Sequence, residues 1–311
     1  MSPAAFSILF SKSLIKRCFV AVFILLLAGC KKESPQPDSE WQGSGLALFS
    51  DYEPQADKLV RIFYYVPKGT TATTPIVFVF HGAERNAMDY RNAIVNKADS
   101  YGFIAVVPEF SEQQFPGVSA YQIGNVYQNG DQPTPATLNQ ESQWSLSLVE
   151  PIFAFVKNKT KNASERYHFI GHSAGGQFAH RFLLFKPDAK YARGVVSAAG
   201  WYTATDAAVN FPYGLQASPL ENAMLGPLFA KSICVQVGSA DNNPNASSLR
   251  RDALSDAQGL HRLARAQYFY SKAGALADGL GVPFSWQLNI VPGLNHNSAA
   301  AIGHAADWLF Q

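Results

Sequence analysis

Tyr167-His168-Phe169-Ile170-Gly171-His172-Ser173-Ala174-Gly175-Gly176 is the stretch on which the reading of this chain turns. Its first four residues form an apolar, strand-like run, and residues 177–185 behind it have helical character. Between the two lies the pattern G-x-S-x-G. Glycines two places to either side of a serine let a strand and a helix approach closely, while the serine takes a strained backbone conformation that exposes its hydroxyl. The pattern is short, so its weight depends on the rest of the chain.

Outward from that turn, strand-like and helix-like segments alternate. Residues 59–66, Ile76–Phe80, 103–107 (stopped at Pro108), 194–198, 233–237 and 285–291 are apolar or β-branched runs. The run Ile76–Phe80 (IVFVF) is apolar throughout, as a strand buried on both faces requires. Ala87–Tyr101, residues 143–158 with a kink or break at Pro151, residues 250–277 broken at Gly259, and Ser298–Phe310 have helical spacing. This order predicts an α/β fold: a mainly parallel twisted sheet with helices on both faces, and the segments before Ile76 as an antiparallel edge. Two stretches, 110–140 and 200–231, show no periodicity, and loops of that length are expected over the functional face.

The first residues read as a targeting signal. Lys12, Lys16 and Arg17 precede an apolar run from Cys18 to Leu27, which is too short to span a bilayer comfortably. It ends in Leu27-Ala28-Gly29-Cys30, a pattern that resembles a bacterial lipobox. That resemblance implies cleavage before Cys30, acylation of its sulfur and amino group, and membrane anchoring by two or three chains. With Lys rather than Asp at position 31, the outer membrane of a two-membrane envelope is the expected address. The organisation predicted is therefore a signal peptide over 1–29, a lipidated cysteine and polar tether over 30–45, and a single catalytic domain over 46–311. Three of the 25 basic residues and none of the 23 acidic ones lie before Cys30, so the remainder is close to neutral and no basic patch argues for nucleic acid. Cys234, inside an apolar run, is left as a small buried hydrophobe without an internal disulfide partner.

In a parallel α/β sheet, functional groups gather at the carboxyl ends of strands. Ser173 follows one strand; a serine hydroxyl needs a neighbouring base to become a nucleophile. Among seven histidines, His296 sits between the last strand and the last helix, and it is the expected general base. Asp241, in Gly238-Ser239-Ala240-Asp241 after residues 233–237, is the expected carboxylate that orients the imidazole, with Asp206 and Asp252 as weaker alternatives. His81-Gly82-Ala83 follows Ile76–Phe80, and the backbone N–H groups of Ala83 and Ala174 are the expected oxyanion donors. Trp201 and Tyr202 are candidate substrate contacts, joined by Trp144 and Tyr213; Glu84 and Arg85 are either a local ion pair or substrate contacts. No metal or cofactor is called for: the histidines lack the H-E-x-x-H pattern and Cys/His ligand spacing.

The order Ser173, Asp241, His296, together with His81-Gly82 and Gly171–Gly176, resembles that of the α/β-hydrolase superfamily. Within it the chain is similar to exported poly(3-hydroxybutyrate) depolymerase-like and feruloyl-esterase-like hydrolases, although no polymer-binding domain is identifiable. The resemblance implies a serine carboxylesterase working through an acyl-enzyme on small or oligomeric esters. A serine peptidase of the same fold and a non-catalytic binding lipoprotein are the rival readings.

Overall fold

The computed structural model describes residues 41–221 and 223–311. The proposed signal peptide, Cys30 and most of the tether lie outside these residues. The folded domain begins before the expected boundary at residue 46: Trp41 is already buried, stacked on Tyr64 at 3.9 Å, and the first strand begins at Gly43.

Ile76–Phe80 is buried at all five positions, and it lies near the middle of one eight-stranded sheet. The strands are β1 (Gly43–Phe49), β2 (Val60–Val66), β3 (Ile76–Phe80), β4 (Ile104–Glu109), β5 (Tyr167–His172), β6 (Tyr191–Ser197), β7 (Ser232–Gly238) and β8 (Gln287–Val291). Their spatial order is β1-β2-β4-β3-β5-β6-β7-β8. β1 and β2 pair antiparallel, β2 meets β4 antiparallel, and every rung from β4 to β8 is parallel. The β-branched and aromatic content of β3, β5 and β7 suits strands with helices on both sides.

The helices are α1 (Ala87–Tyr101), α2 (Gly117–Ala120), α3 (Val149–Thr160), α4 (Ala174–Phe185), α5 (Gly226–Phe229), α6 (Ala253–Ala257), α7 (Arg262–Gly279) and α8 (Ser298–Phe310). α1 and α8 cover one face through Ala87, Ile94, Ala98, Ile302 and Ala306. α3, α4 and α7 cover the other, with Phe153, Phe178, Phe182 and Phe269 fully or almost fully buried. Each such side chain contributes about 1.5–3 kcal/mol by leaving water.

Two prolines behave differently from their sequence reading. β4 runs through Pro108 to Glu109 instead of stopping. Its rungs to β3 end at Val106, so Pro108 lies where β4 is bonded to β2 alone. Pro151 does not kink a long helix. It sits in the first turn of α3, where an N–H has no helical acceptor four residues back. The break at Gly259 is real and separates α6 from α7, with Asp252 and His261 as their respective N-caps. No helix among the described residues is long and apolar enough to cross a membrane.

Candidate active site

Ser173 sits between β5 and α4 with φ 57° and ψ −116°, a region that L-residues occupy only under constraint. The constraint comes from its glycine neighbours. A Cβ on Gly175 would stand 2.0 Å from the Phe80 carbonyl oxygen, and one on Gly171 2.2 Å from the Gly175 carbonyl. The turn is therefore pressed against the carboxyl end of β3 as closely as backbone allows, which brings Ser173 beside the His81-Gly82-Ala83 loop.

The other two groups arrive from the ends of β7 and β8. Ser239 N–H donates to the Val291 carbonyl (2.9 Å) and Ala240 N–H to the Leu294 carbonyl (2.9 Å), tying the aspartate turn to the histidine loop. Asn297 then caps α8 by accepting from Ala300 N–H at 2.9 Å, so the helix begins directly after His296. The result is a continuous chain: His296 Nε2 lies 2.9 Å from Ser173 Oγ, and His296 Nδ1 lies 2.7 Å from Asp241 Oδ2. Asp241 is 6% exposed and His296 28%, so the carboxylate is sheltered while the imidazole reaches the solvent side. Asp206 and Asp252 are engaged elsewhere, Asp206 with Lys272 and Asp252 as the N-cap of α6.

Ser173, Ala83 and Ala174 line one cavity of about 380 Å³. Neither alanine's backbone N–H meets an acceptor among the described residues. The loop carrying Ala83 is fixed from below. His81 is fully buried, accepts from Phe110 N–H (3.0 Å) through Nε2, and has Nδ1 2.9 Å from the Gly82 carbonyl; these partners assign the proton to Nδ1. Tyr121 donates its hydroxyl to the His81 carbonyl at 2.7 Å. Arg85 pairs with Glu112 at 3.1 Å, not with Glu84, and lies over the Tyr121 ring at 4.6 Å, pinning the same loop to residues 110–121. A larger cleft of about 1200 Å³ opens at the amino ends of β6 and β7, near Lys190 and Lys231, far from the serine by sheet topology.

No protein-family model matches the chain, and no curated protein sequence matches it. Solved structures do. Poly(aspartic acid) hydrolase-1 from Sphingomonas sp. KT-1 is 36% identical over 87% of this chain and 99% of its own, with a TM-score of 0.80. The chain belongs to the α/β-hydrolase superfamily. A poly(3-hydroxybutyrate) depolymerase from Bordetella parapertussis is 31% identical over 86% of this α/β-hydrolase and 89% of its own chain, with a TM-score of 0.79. An S-formylglutathione hydrolase from Agrobacterium tumefaciens, 15% identical over 89% of this chain and 97% of its own, shares the fold alone at a TM-score of 0.53.

The hydrolase's cavity differs from the sequence reading in what walls it. Trp201 lines it. Tyr202 does not: it is fully buried, stacked on Phe269 at 4.5 Å. Trp144 packs on Phe185, and Tyr213 donates to Asp252. The unforeseen members are Val118 and Gln122 from the 110–140 stretch, Gln177 of α4, and Ser247, Ser248, Leu249, Arg250 and Arg262. The loop 239–252 follows directly on the carboxyl end of β7, and that position was the available signal for it. Arg262 is almost wholly buried. Its Nη1 lies 3.5 Å from Asp241 Oδ1 and its Nη2 donates to Ser248 Oγ at 2.9 Å, so it joins the aspartate to the cavity wall.

Four histidines are held neutral by burial. His172, whose ring centroid is 4.8 Å from that of His296 and whose Nδ1 meets the Tyr90 hydroxyl at 2.9 Å, is pushed well below the usual range, first by burial and then by His296. His180 is lowered likewise, and His81 and His168 fall to about 4. The unfolded chain takes up these protons near pH 6.5 and the folded chain does not, so the folded state loses ground as pH falls from 6.5 towards 4. For His81 alone the loss by pH 4 is on the order of 3 kcal/mol. Urea unfolding at pH 7, 6, 5 and 4 is expected to show a steady fall in midpoint beginning below pH 6.5; a flat midpoint across that window would contradict it.

Proposed function

We propose that this α/β-hydrolase is a serine esterase using Ser173, His296 and Asp241. The observation that carries the reading is the unbroken hydrogen-bonded chain from Ser173 Oγ through His296 to Asp241, beside two unengaged backbone N–H groups. Ser173 Oγ attacks the ester carbonyl carbon as His296 Nε2 takes its proton. Ala83 and Ala174 N–H groups hold the tetrahedral oxyanion. The C–O bond to the alcohol breaks, and His296 gives the alcohol its proton. Water, deprotonated by His296, then attacks the acyl-enzyme carbonyl, the C–O bond to Ser173 breaks, and His296 returns the proton to Ser173 Oγ as the acid leaves. Asp241 holds the imidazole in the tautomer with Nδ1 protonated throughout.

A second reading, cleavage of amide bonds by the same groups, is favoured by the 36% identity to a hydrolase named for poly(aspartic acid), which is a polyamide. Matched 4-nitrophenyl esters and 4-nitroanilides of the same acids separate the two. Faster ester turnover after correction for intrinsic reactivity supports the esterase reading, and dominant anilide turnover would replace it with the amidase.

We further propose that the enzyme is exported and lipid-anchored through Cys30 in the bacterial cell envelope, on the outer membrane where there is one. The ordered basic, apolar and Leu-Ala-Gly-Cys segments support this. Cys30→Ser is expected to abolish incorporation of labelled palmitate and to release the protein from membranes or leave it unprocessed. Unchanged labelling and membrane retention would refute the anchor.

A further inference from the structure

The cavity beside Ser173 has an unusual charge inventory. Among the described residues its charged lining consists of Arg250 and Arg262, and no carboxylate lines it. Arg250 is 27% exposed, and its Nε and Nη1 are held by Asp252 (2.8 Å) and Asp131 (2.7 Å), which leaves Nη2 without a protein partner among the described residues. Its guanidinium lies 4.8 Å from the centroid of the Trp201 ring. A third cation stands behind the same wall. Arg181 is fully buried, 4.1 Å from the Trp201 centroid, and it donates to the Thr203 hydroxyl and to the carbonyls of Gln122 and Gln177. Among the described residues it touches no carboxylate, and its Nη2 has no hydrogen-bond partner. Burial lowers its pKa only to about 9, so it stays charged at neutral pH.

An arginine buried without a contacting carboxylate is costly; Asp131 acts on Arg181 only through space, and the low dielectric leaves such fields poorly screened. Arg250 is already oriented by two carboxylates and stacked on an indole, so little rotamer freedom is lost when it takes a further acceptor. Both guanidiniums lie against the Trp201 ring, Arg181 behind the wall and Arg250 in the lining of the cavity that holds the nucleophile, and Arg250 keeps one guanidinium edge free.

We propose that the Trp201 wall is a subsite for a substrate carboxylate, so that the preferred substrates are esters whose acyl or alcohol part is anionic. This rests on the hydrolase reading of Ser173 and adds the charge of what it cleaves. The subsite commits to carboxylate rather than to a bulky neutral chain, because a neutral group there would leave the guanidinium edge dry and unpaired.

Two substrate pairs test it. The first is 4-nitrophenyl succinate against its methyl ester, with charge on the acyl side. The second is 4-acetoxybenzoate against methyl 4-acetoxybenzoate, with charge on the leaving side and rates corrected for leaving-group reactivity. In at least one pair the anion is expected to have the higher kcat/KM by about tenfold or more, the scale of one charge-assisted hydrogen bond. The preference resides mainly in KM and shrinks between 0.02 and 0.5 M NaCl. Arg250→Gln is expected to reduce the anion-to-neutral ratio about tenfold. Equal or better turnover of the neutral member in both pairs overturns the subsite, as does a preference that survives in Arg250→Gln. If Arg250→Gln does not fold, the wild-type ratios and their salt dependence decide. Turnover of neutral esters without anion preference sinks this inference alone, whereas no turnover of any member, with no labelling by a fluorophosphonate, overturns the hydrolase reading and the subsite together.

Discussion

Ser173→Ala is expected to lower ester turnover by about 10⁶-fold, to the level left by binding and the oxyanion donors, and to end labelling by a fluorophosphonate. The size follows from the geometry. Ser173 Oγ is the atom 2.9 Å from His296 Nε2, and among the described residues no other hydroxyl bonds to that nitrogen. Folding should scarcely notice. Alanine keeps the Cβ, so the φ of 57° and its strain are unchanged, and the lost hydrogen bond at a part-exposed site is worth about 1 kcal/mol at most. Ser173→Gly separates activity from strain. It is equally inactive, but it relieves about 1–3 kcal/mol of backbone strain against about 0.5–1 kcal/mol of added chain entropy in the unfolded state. Its denaturation midpoint should therefore stand at or above that of Ser173→Ala. Activity of Ser173→Ala within a hundredfold of the wild type would remove the serine from the mechanism.

The fold was legible because its signals are local. Ile76–Phe80 and Ser298–Phe310 have in the structure the bounds their apolar patterns give, and Gly175 and Gly171 mark a turn whose tightness leaves no room for a Cβ. The catalytic candidates were legible for the same reason, since each follows a strand and the sheet topology collects strand ends. The misreadings involve context. Pro108 was read by its missing N–H, but whether that matters depends on which neighbour β4 has at that rung, a non-local fact. Tyr202 adjoins Trp201 in sequence, yet the chain bends at Trp201, and one side chain lines the cavity while the other packs on Phe269. Arg262 and Arg181 were missed because a charged residue inside a helical pattern reads as a solvated face. Nothing in the local pattern says that α7 turns Arg262 towards Asp241, or that α4 buries Arg181 under Trp201.

That unforeseen arginine gives the aspartate variants two separable effects. Asp241→Asn is expected to lower kcat by about 10⁴-fold with a smaller loss of stability. An amide placed where Oδ2 now meets His296 Nδ1 can present its N–H₂ to the ring. The imidazole then carries its proton on Nε2 and cannot accept from Ser173 Oγ. The Asn carbonyl remains available to Arg262, so the guanidinium keeps an acceptor, although not a charge. Asp241→Leu removes both. It leaves Arg262, 3% exposed, facing an apolar group, and breaking a buried pair in this way costs about 3–5 kcal/mol. The 3.5 Å separation places the expected cost at the lower end of that range. Steady-state kinetics and urea unfolding on both variants measure the two effects independently. If both lose activity about equally but only Asp241→Leu loses stability, Asp241 serves the imidazole through one oxygen and the fold through the other. If Asp241→Asn retains more than a tenth of wild-type turnover, the carboxylate does not set the tautomer and His296 is oriented by its loop alone.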